Sequence, residues 1–192
     1  MSDPNLSSPF FEFSPQKWAS FAHSSDRLTL TEADISRCLA FNDRISLDDV
    51  RNIYLPLSRL IYLYFISRHD RSTVIQQFLG KSMESAPFII SISGSVSVGK
   101  TTTARLLHEL LKAWPSKPKA ELEKRGIMNQ KGFPVSYDVK RLMKFLCQVK
   151  DGIPKLKVPV YSHLTYDVVP DKFTIVDRPD ILIIEGVNVL QN

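Results

Sequence analysis

The chain has 192 residues, 43% of them hydrophobic and 23% charged, enough for one good core or one core with an appended subdomain, and a composition that excludes a disordered or membrane-embedded class. Its longest apolar stretch, Leu60 to Ile66, is far short of the roughly 20 residues that span a bilayer, and no basic-then-apolar leader opens it, so a cytoplasmic protein is expected. The net charge of +5 is uneven: Lys100 to Lys157 holds 14 Lys and Arg against 5 Asp and Glu, an excess of nine that leaves −4 for the remainder. Such a basic segment suits a polyanionic ligand; without an aromatic-interleaved basic stripe, no nucleic-acid partner is expected.

In chain order, Met1 to Ser14 reads as irregular, with Phe10, Phe11 and Phe13 available to pack on the body. Thr31 with Asp34 forms a capping-box pattern that opens a helix with Ile35, Cys38 and Leu39 inward. Ser46 ahead of Asp48 and Asp49 opens another, whose apolar residues run from Val50 to Tyr64 at spacings of three and four. Pro56 should kink or restart it, because its ring removes a hydrogen bond. A third, short helix is predicted near Ser72 to Leu79, stopped by Gly80. Cys38 and Cys147 are widely separated and each lies among apolar residues of a predicted helix, so both are expected to be buried free thiols.

From Pro87 the pattern changes to alternating strands and helices, which implies a mostly parallel α/β sheet. Phe88 to Ser93 is a short β-branched run of the kind that forms a buried parallel strand. It leads directly into Gly94-Ser95-Val96-Ser97-Val98-Gly99-Lys100-Thr101, which fits the phosphate-binding pattern G-x-x-x-x-G-K-[ST]. In such a loop successive backbone N–H groups curl around nucleotide phosphates, the lysine meets the terminal phosphates, and the threonine hydroxyl coordinates Mg²⁺. Thr101 to Trp114 then carries Ala104, Leu107, Leu110, Leu111 and Trp114 on one helical stripe, and the positive end of that helix faces the same phosphates.

After a connector at Ser116 to Lys119, Asp138 to Lys150 reads as a helix with Leu142, Phe145, Leu146 and Val149 on one side. Ile181 to Ile184 is a second buried strand, so that the two recognisable strands form the parallel core. Phosphoryl transfer requires a metal and an acidic residue at the carboxyl end of a strand beside the phosphate loop. Glu185 occupies that place and is the candidate, with Thr101, for holding the metal, while Lys100 and Glu185 are the candidate catalytic residues.

Beyond the loop, the sequence resembles the bacterial (type I) pantothenate kinases, a P-loop kinase family. The resemblance lies in Pro87-Phe88-Ile89-Ile90, the run Gly94 to Arg105, Lys131-Gly132-Phe133-Pro134 with Ser136-Tyr137-Asp138, Pro159 to Leu164 with Tyr166-Asp167, and Pro179 to Gln191. Tyr54-Leu55-Pro56-Leu57 with Arg59-Leu60-Ile61 matches the family's helical front. The resemblance implies a P-loop NTPase-type α/β fold, residues 1–85 forming a helical region packed on a kinase core of residues 86–192, together one structural domain. It implies ATP-dependent phosphorylation of pantothenate, the entry step to coenzyme A, with coenzyme A as feedback inhibitor at the ATP site and a homodimer as the intact assembly. By position, Gly94 to Thr102 would hold ATP, Arg105 and Lys131 would contact phosphates of ATP or coenzyme A, and His163 would line the nucleotide and inhibitor region. Tyr161 and Tyr166 would accompany it on the substrate side.

Two departures accompany the match. Relatives place a strand ending in Thr-Thr-Asp-Gly-Phe before the Leu-Lys-Glu-Arg-Gly-like segment, whereas here Lys119 runs straight into Ala120 to Gly126, leaving no counterpart of the family's general-base aspartate. The family pattern also continues past the point matched by Asn192, so the sheet is expected to be incomplete in this chain. Alternative readings are a catalytically inactive fragment that binds nucleotide or coenzyme A, and a nucleoside kinase of the uridine type on the same fold.

Overall fold

A computed structural model describes residues 10–22, 28–40, 42–80, 86–114, 127–130, 139–162 and 167–186. Capping chemistry organises the helical front. The short helix α1 (Pro15–Ala19) starts at Ser14, whose hydroxyl accepts from the Lys17 N–H at 3.2 Å. In α2 (Glu32–Cys38) the Thr31 hydroxyl accepts from the Asp34 N–H at 3.3 Å, and the Asp34 carboxylate accepts from the Thr31 N–H at 2.9 Å, the reciprocal box that the sequence pattern predicts. Ser46 and Asp49 repeat the device at α3 (Leu47–Asp49), with the two bonds at 3.1 and 2.8 Å.

One turn of π-helix, Val50–Tyr54, then feeds the 25-residue α4 (Leu55–Leu79). Pro56 sits in the first turn of α4, where a missing N–H costs nothing, so the chain restarts there through the wider turn instead of kinking. The separate helix expected at Ser72 to Leu79 is the last two turns of α4. Nothing between Arg68 and Ser72 breaks the helical hydrogen bonding, and the helix ends only at Gly80, which takes the left-handed conformation at φ 60°.

The sheet contains β1 (Phe88–Ser93), β2 (Ile127–Gln130) and β5 (Ile181–Gly186) in the order β1-β5-β2, with both pairings parallel. The expected two-strand core is thus three strands wide. A four-residue strand such as β2 is too short to leave a period in the sequence. The central strand β5 is packed on both faces. Ile181 and Ile183 meet Ala104, Leu107 and Leu111 of α5 (Lys100–Lys112), while Leu182 and Ile184 meet Leu142, Phe145 and Val149 of α6 (Val139–Lys150). An antiparallel hairpin, β3 (Leu156–Ser162) with β4 (Asp167–Val176), adds Val158 and Val176 to the α6 side.

Helix α5 is wider in its apolar surface than one stripe. Leu106 and Leu110 point away from the sheet and join Ile35, Cys38, Val50 and Leu55 of the helical front. At its far end the Trp114 ring stacks on Tyr62 at 4.9 Å between centroids, and its Nε1 donates to the Ser58 hydroxyl at 3.2 Å. The front therefore packs against the helix that follows the glycine loop Gly94 to Gly99. Cys38 is buried in this cluster, as expected, but Cys147 is exposed. It lies 200° around α6 from Phe145, off the Leu142-Phe145-Val149 stripe, so apolar sequence neighbours gave it the wrong face.

Candidate functional site

The loop Gly94 to Gly99 leaves β1 at the carboxyl edge of the sheet and enters α5. Ser97 and Gly99 both have positive φ, 61° and 85°, interleaved with ordinary backbone. Alternation of this kind turns successive N–H groups toward one concavity, the geometry that receives an anion. A Cβ on Gly94 would meet the Val98 Cγ2 atom at 3.0 Å, so the loop also closes tightly on itself. Gly99 is the N-cap of α5 and brings no side-chain cap, which leaves the first-turn N–H groups to an external partner. The Lys100 ammonium donates to the Ser95 carbonyl, spanning the loop from within.

On the strand next to the one the loop leaves stands Glu185. Parallel register sets Ile92 beside Glu185 and Ser93 beside Gly186, so the carboxylate is held at the strand end from whose neighbour the loop departs. Glu185 is only 4% exposed, and its Oε1 has no hydrogen-bond partner among the described residues. A buried carboxylate oxygen without a partner is costly, and a cation would satisfy it. The described residues contain no cluster of three or more His, Cys, Asp or Glu able to cage a metal. One carboxylate and the Thr101 hydroxyl suit Mg²⁺, which takes few protein ligands and completes its shell with phosphate and water.

The remaining expected site residues divide. Thr102 is fully buried, and its hydroxyl donates to the Asp43 carboxylate in the linker between α2 and α3. Arg105 lies about 9 Å along the helix from Gly99 by helical rise, and its Nη1 donates to the Cys38 carbonyl at 3.2 Å. It lines a pocket of about 410 Å³ with Asp34, Arg37, Cys38, His108 and Glu109. Burial pushes the Cys38 thiol up, with the Glu109 carboxylate adding to the effect. Burial also acts to raise Glu109, but hydrogen bonds from Lys112 and His108 hold it below the ordinary glutamate range. Tyr161 pairs with Val168 across the hairpin. Lys131, His163 and Tyr166 lie outside the described residues.

Asp43 and the Cys38 carbonyl are the contacts that sequence reasoning missed. They reach α5 across 59 and 67 residues, and no local spacing announces such a pair.

No protein-family model matches the chain. Curated relatives do. It is 50% identical to a pantothenate kinase of Pasteurella multocida over 97% of its own residues and 63% of the relative's. It is 48% identical to one of Vibrio cholerae over 97% and 64%, and 47% identical to one of Cronobacter sakazakii over 99% and 64%. The chain thus spans somewhat under two thirds of the length of these relatives. The likeness carried by the loop, the strand ends and the helical front extends along nearly the whole chain, which is thus similar in sequence to the bacterial pantothenate kinases.

Proposed function

We propose that the chain carries the nucleotide site of a kinase that transfers the terminal phosphoryl group of ATP to the hydroxyl of pantothenate, giving 4'-phosphopantothenate, the first step toward coenzyme A. The observation that carries this reading is the buried, unpartnered Glu185 oxygen in register beside a phosphate-binding loop. The names of the relatives supply the substrate. The succession of β1, glycine loop and α5, with β5 parallel beside β1, supports a P-loop NTPase-type core. The shared cluster of Leu106 and Leu110 with Ile35, Val50 and Leu55 supports residues 1–85 and 86–192 forming one structural domain.

In this reading the loop N–H groups and the start of α5 bind the phosphates. Lys100 exchanges the Ser95 carbonyl for terminal-phosphate oxygens and offsets the charge that develops on them during transfer. Thr101 and Glu185 would hold Mg²⁺, which would supply positive charge to offset that of the phosphates. No group among the described site residues is assigned to take the proton of the attacking hydroxyl. Lys131, His163, Tyr161 and Tyr166 would complete the nucleotide and substrate surfaces, and coenzyme A, itself a nucleotide with a diphosphate, would compete for the same cradle. The intact protein is a cytoplasmic homodimer in this proposal.

Following ADP release with ATP, Mg²⁺ and pantothenate tests the reading. Turnover that Lys100→Ala lowers by at least about a hundredfold supports it, the scale expected for losing one charge-stabilising group. ATP binding without turnover, or turnover that uridine supports and pantothenate does not, overturns the substrate assignment.

A further inference from the structure

The end of α2 and the linker that follows it are fastened to the first two turns of α5, one contact each. The Arg105 guanidinium holds the Cys38 carbonyl, and the Thr102 hydroxyl donates to Asp43. Asp43 is itself fixed. Its Oδ2 also accepts from the Ala40 N–H at 3.1 Å, and its own N–H donates to the Ala40 carbonyl at 3.0 Å, closing a tight turn. Underneath, Leu106 and Leu110 are buried against Ile35, Cys38, Val50 and Leu55. The carboxylate is thus a pre-set acceptor at the third residue of a helix whose N-cap, Gly99, provides no cap of its own.

We propose that Asp43 is a positioning residue for the phosphate cradle, acting through Thr102. This rests on the nucleotide reading above. A threonine within a helix has two accessible χ1 states because its hydroxyl can bond back to the carbonyls three and four residues earlier. For Thr102 those are the carbonyls of Gly99 and Val98, which belong to the loop itself. Asp43 draws the hydroxyl outward to the linker and keeps it off both. Without that acceptor the buried hydroxyl turns to the loop backbone, bends the first turn of α5 and misaligns the N–H groups that receive phosphate. Because the effect runs through a hydrogen bond, an uncharged acceptor of the same shape should serve.

The test is MgATP affinity by calorimetric titration of the purified protein and of Asp43→Ala, Asp43→Asn, Thr102→Val and the Asp43→Ala/Thr102→Val double variant. Thermal unfolding of each nucleotide-free protein separates loss of fold from loss of affinity. Asp43→Ala should weaken ATP about tenfold, the scale of one hydrogen bond to a charged group, and Asp43→Asn should stay within about twofold of the parent. In the Thr102→Val background, where no hydroxyl can turn to the loop, Asp43→Ala should add nothing. Equal weakening with and without the Thr102 hydroxyl, an Asn variant as weak as Ala, or an Ala variant within twofold of the parent each overturns the role of Asp43 while leaving the nucleotide site standing. A parent protein that fails to bind ATP, and behaves as Lys100→Ala does, overturns the nucleotide reading and this inference with it.

Discussion

Replacing Glu185 by methionine separates what that residue costs the fold from what it gives the site. The side chain is 4% exposed with one carboxylate oxygen unpartnered among the described residues. A buried polar atom left without a hydrogen bond costs about 1–3 kcal/mol, and more when it shares a negative charge. Methionine has nearly the same length and volume without the acceptor or the charge, so it removes the penalty while keeping the contacts of the strand end. Taking about 1–1.5 kcal/mol as recovered, and about 2–4 °C per kcal/mol for a chain of this size, nucleotide-free Glu185→Met should melt about 2–6 °C above the parent. Calorimetric scans are run without nucleotide, with ATP and EDTA, and with ATP and Mg²⁺. The parent should gain further in Mg²⁺ over EDTA, because a metal ligand that binds only the folded state stabilises it. In the variant that extra gain should vanish. A variant that melts several degrees lower and still gains from Mg²⁺ would refute the assignment, leaving Glu185 as an ordinary strand end.

Three further outcomes follow from the geometry. The backbone N–H of Thr31 and then its hydroxyl hold Asp34 below the ordinary aspartate value of 3.8, and Ser46 acts in the same order on Asp49. Since the folded pKa lies below the unfolded one, this stabilisation is full above about pH 4 and is lost as pH falls through the folded values; Asp34→Asn and Asp49→Asn should flatten the acid limb of a stability-against-pH curve, and an unchanged limb would count against the capping boxes. Leu106→Ala, at a fully buried position between α5 and the helical front, should cost about 3 kcal/mol in urea unfolding, in one transition; two separate transitions would show that residues 1–85 and the core unfold independently. A thiol reagent should label Cys147 rapidly and leave Cys38 unlabelled until the protein unfolds, because Cys38 is buried with its thiol pKa raised; rapid labelling of both would contradict the packing of α2 on α5.

What was legible in the sequence was what is local. Thr31 and Asp34, or Ser46 and Asp49, satisfy one another within three residues, so spacing alone identifies them. The pattern from Gly94 to Thr101 is recognisable because its residue types stand at fixed offsets, and β1, the loop and α5 follow one another in the order it predicts. Ala104, Leu107 and Leu111 announce one face of α5, but the same helix carries a second apolar face through Leu106 and Leu110, and periodicity cannot say which element covers which. The Asp43 to Thr102 contact was beyond reach for another reason. An aspartate in a linker and a threonine in a helix are ordinary residues until the fold sets them together. Cys147 shows the converse error, since hydrophobic neighbours in sequence do not share its side of α6. The strand Ile127–Gln130 escaped because four residues are too few to display an alternation.

The strand β5 is paired along both edges and packed on both faces, with α5 on one side and α6 on the other. Glu185 stands one residue past the last β2 pair and keeps its register with Ile92 of β1. The loop that leaves the neighbouring strand is different in kind. Ser95, Val96, Ser97 and Val98 are exposed, and the hold on them comes from Lys100 within the loop. In the nucleotide reading proposed above, adjustment to phosphate chains of different length falls to the exposed loop and not to the buried strand end that carries Glu185.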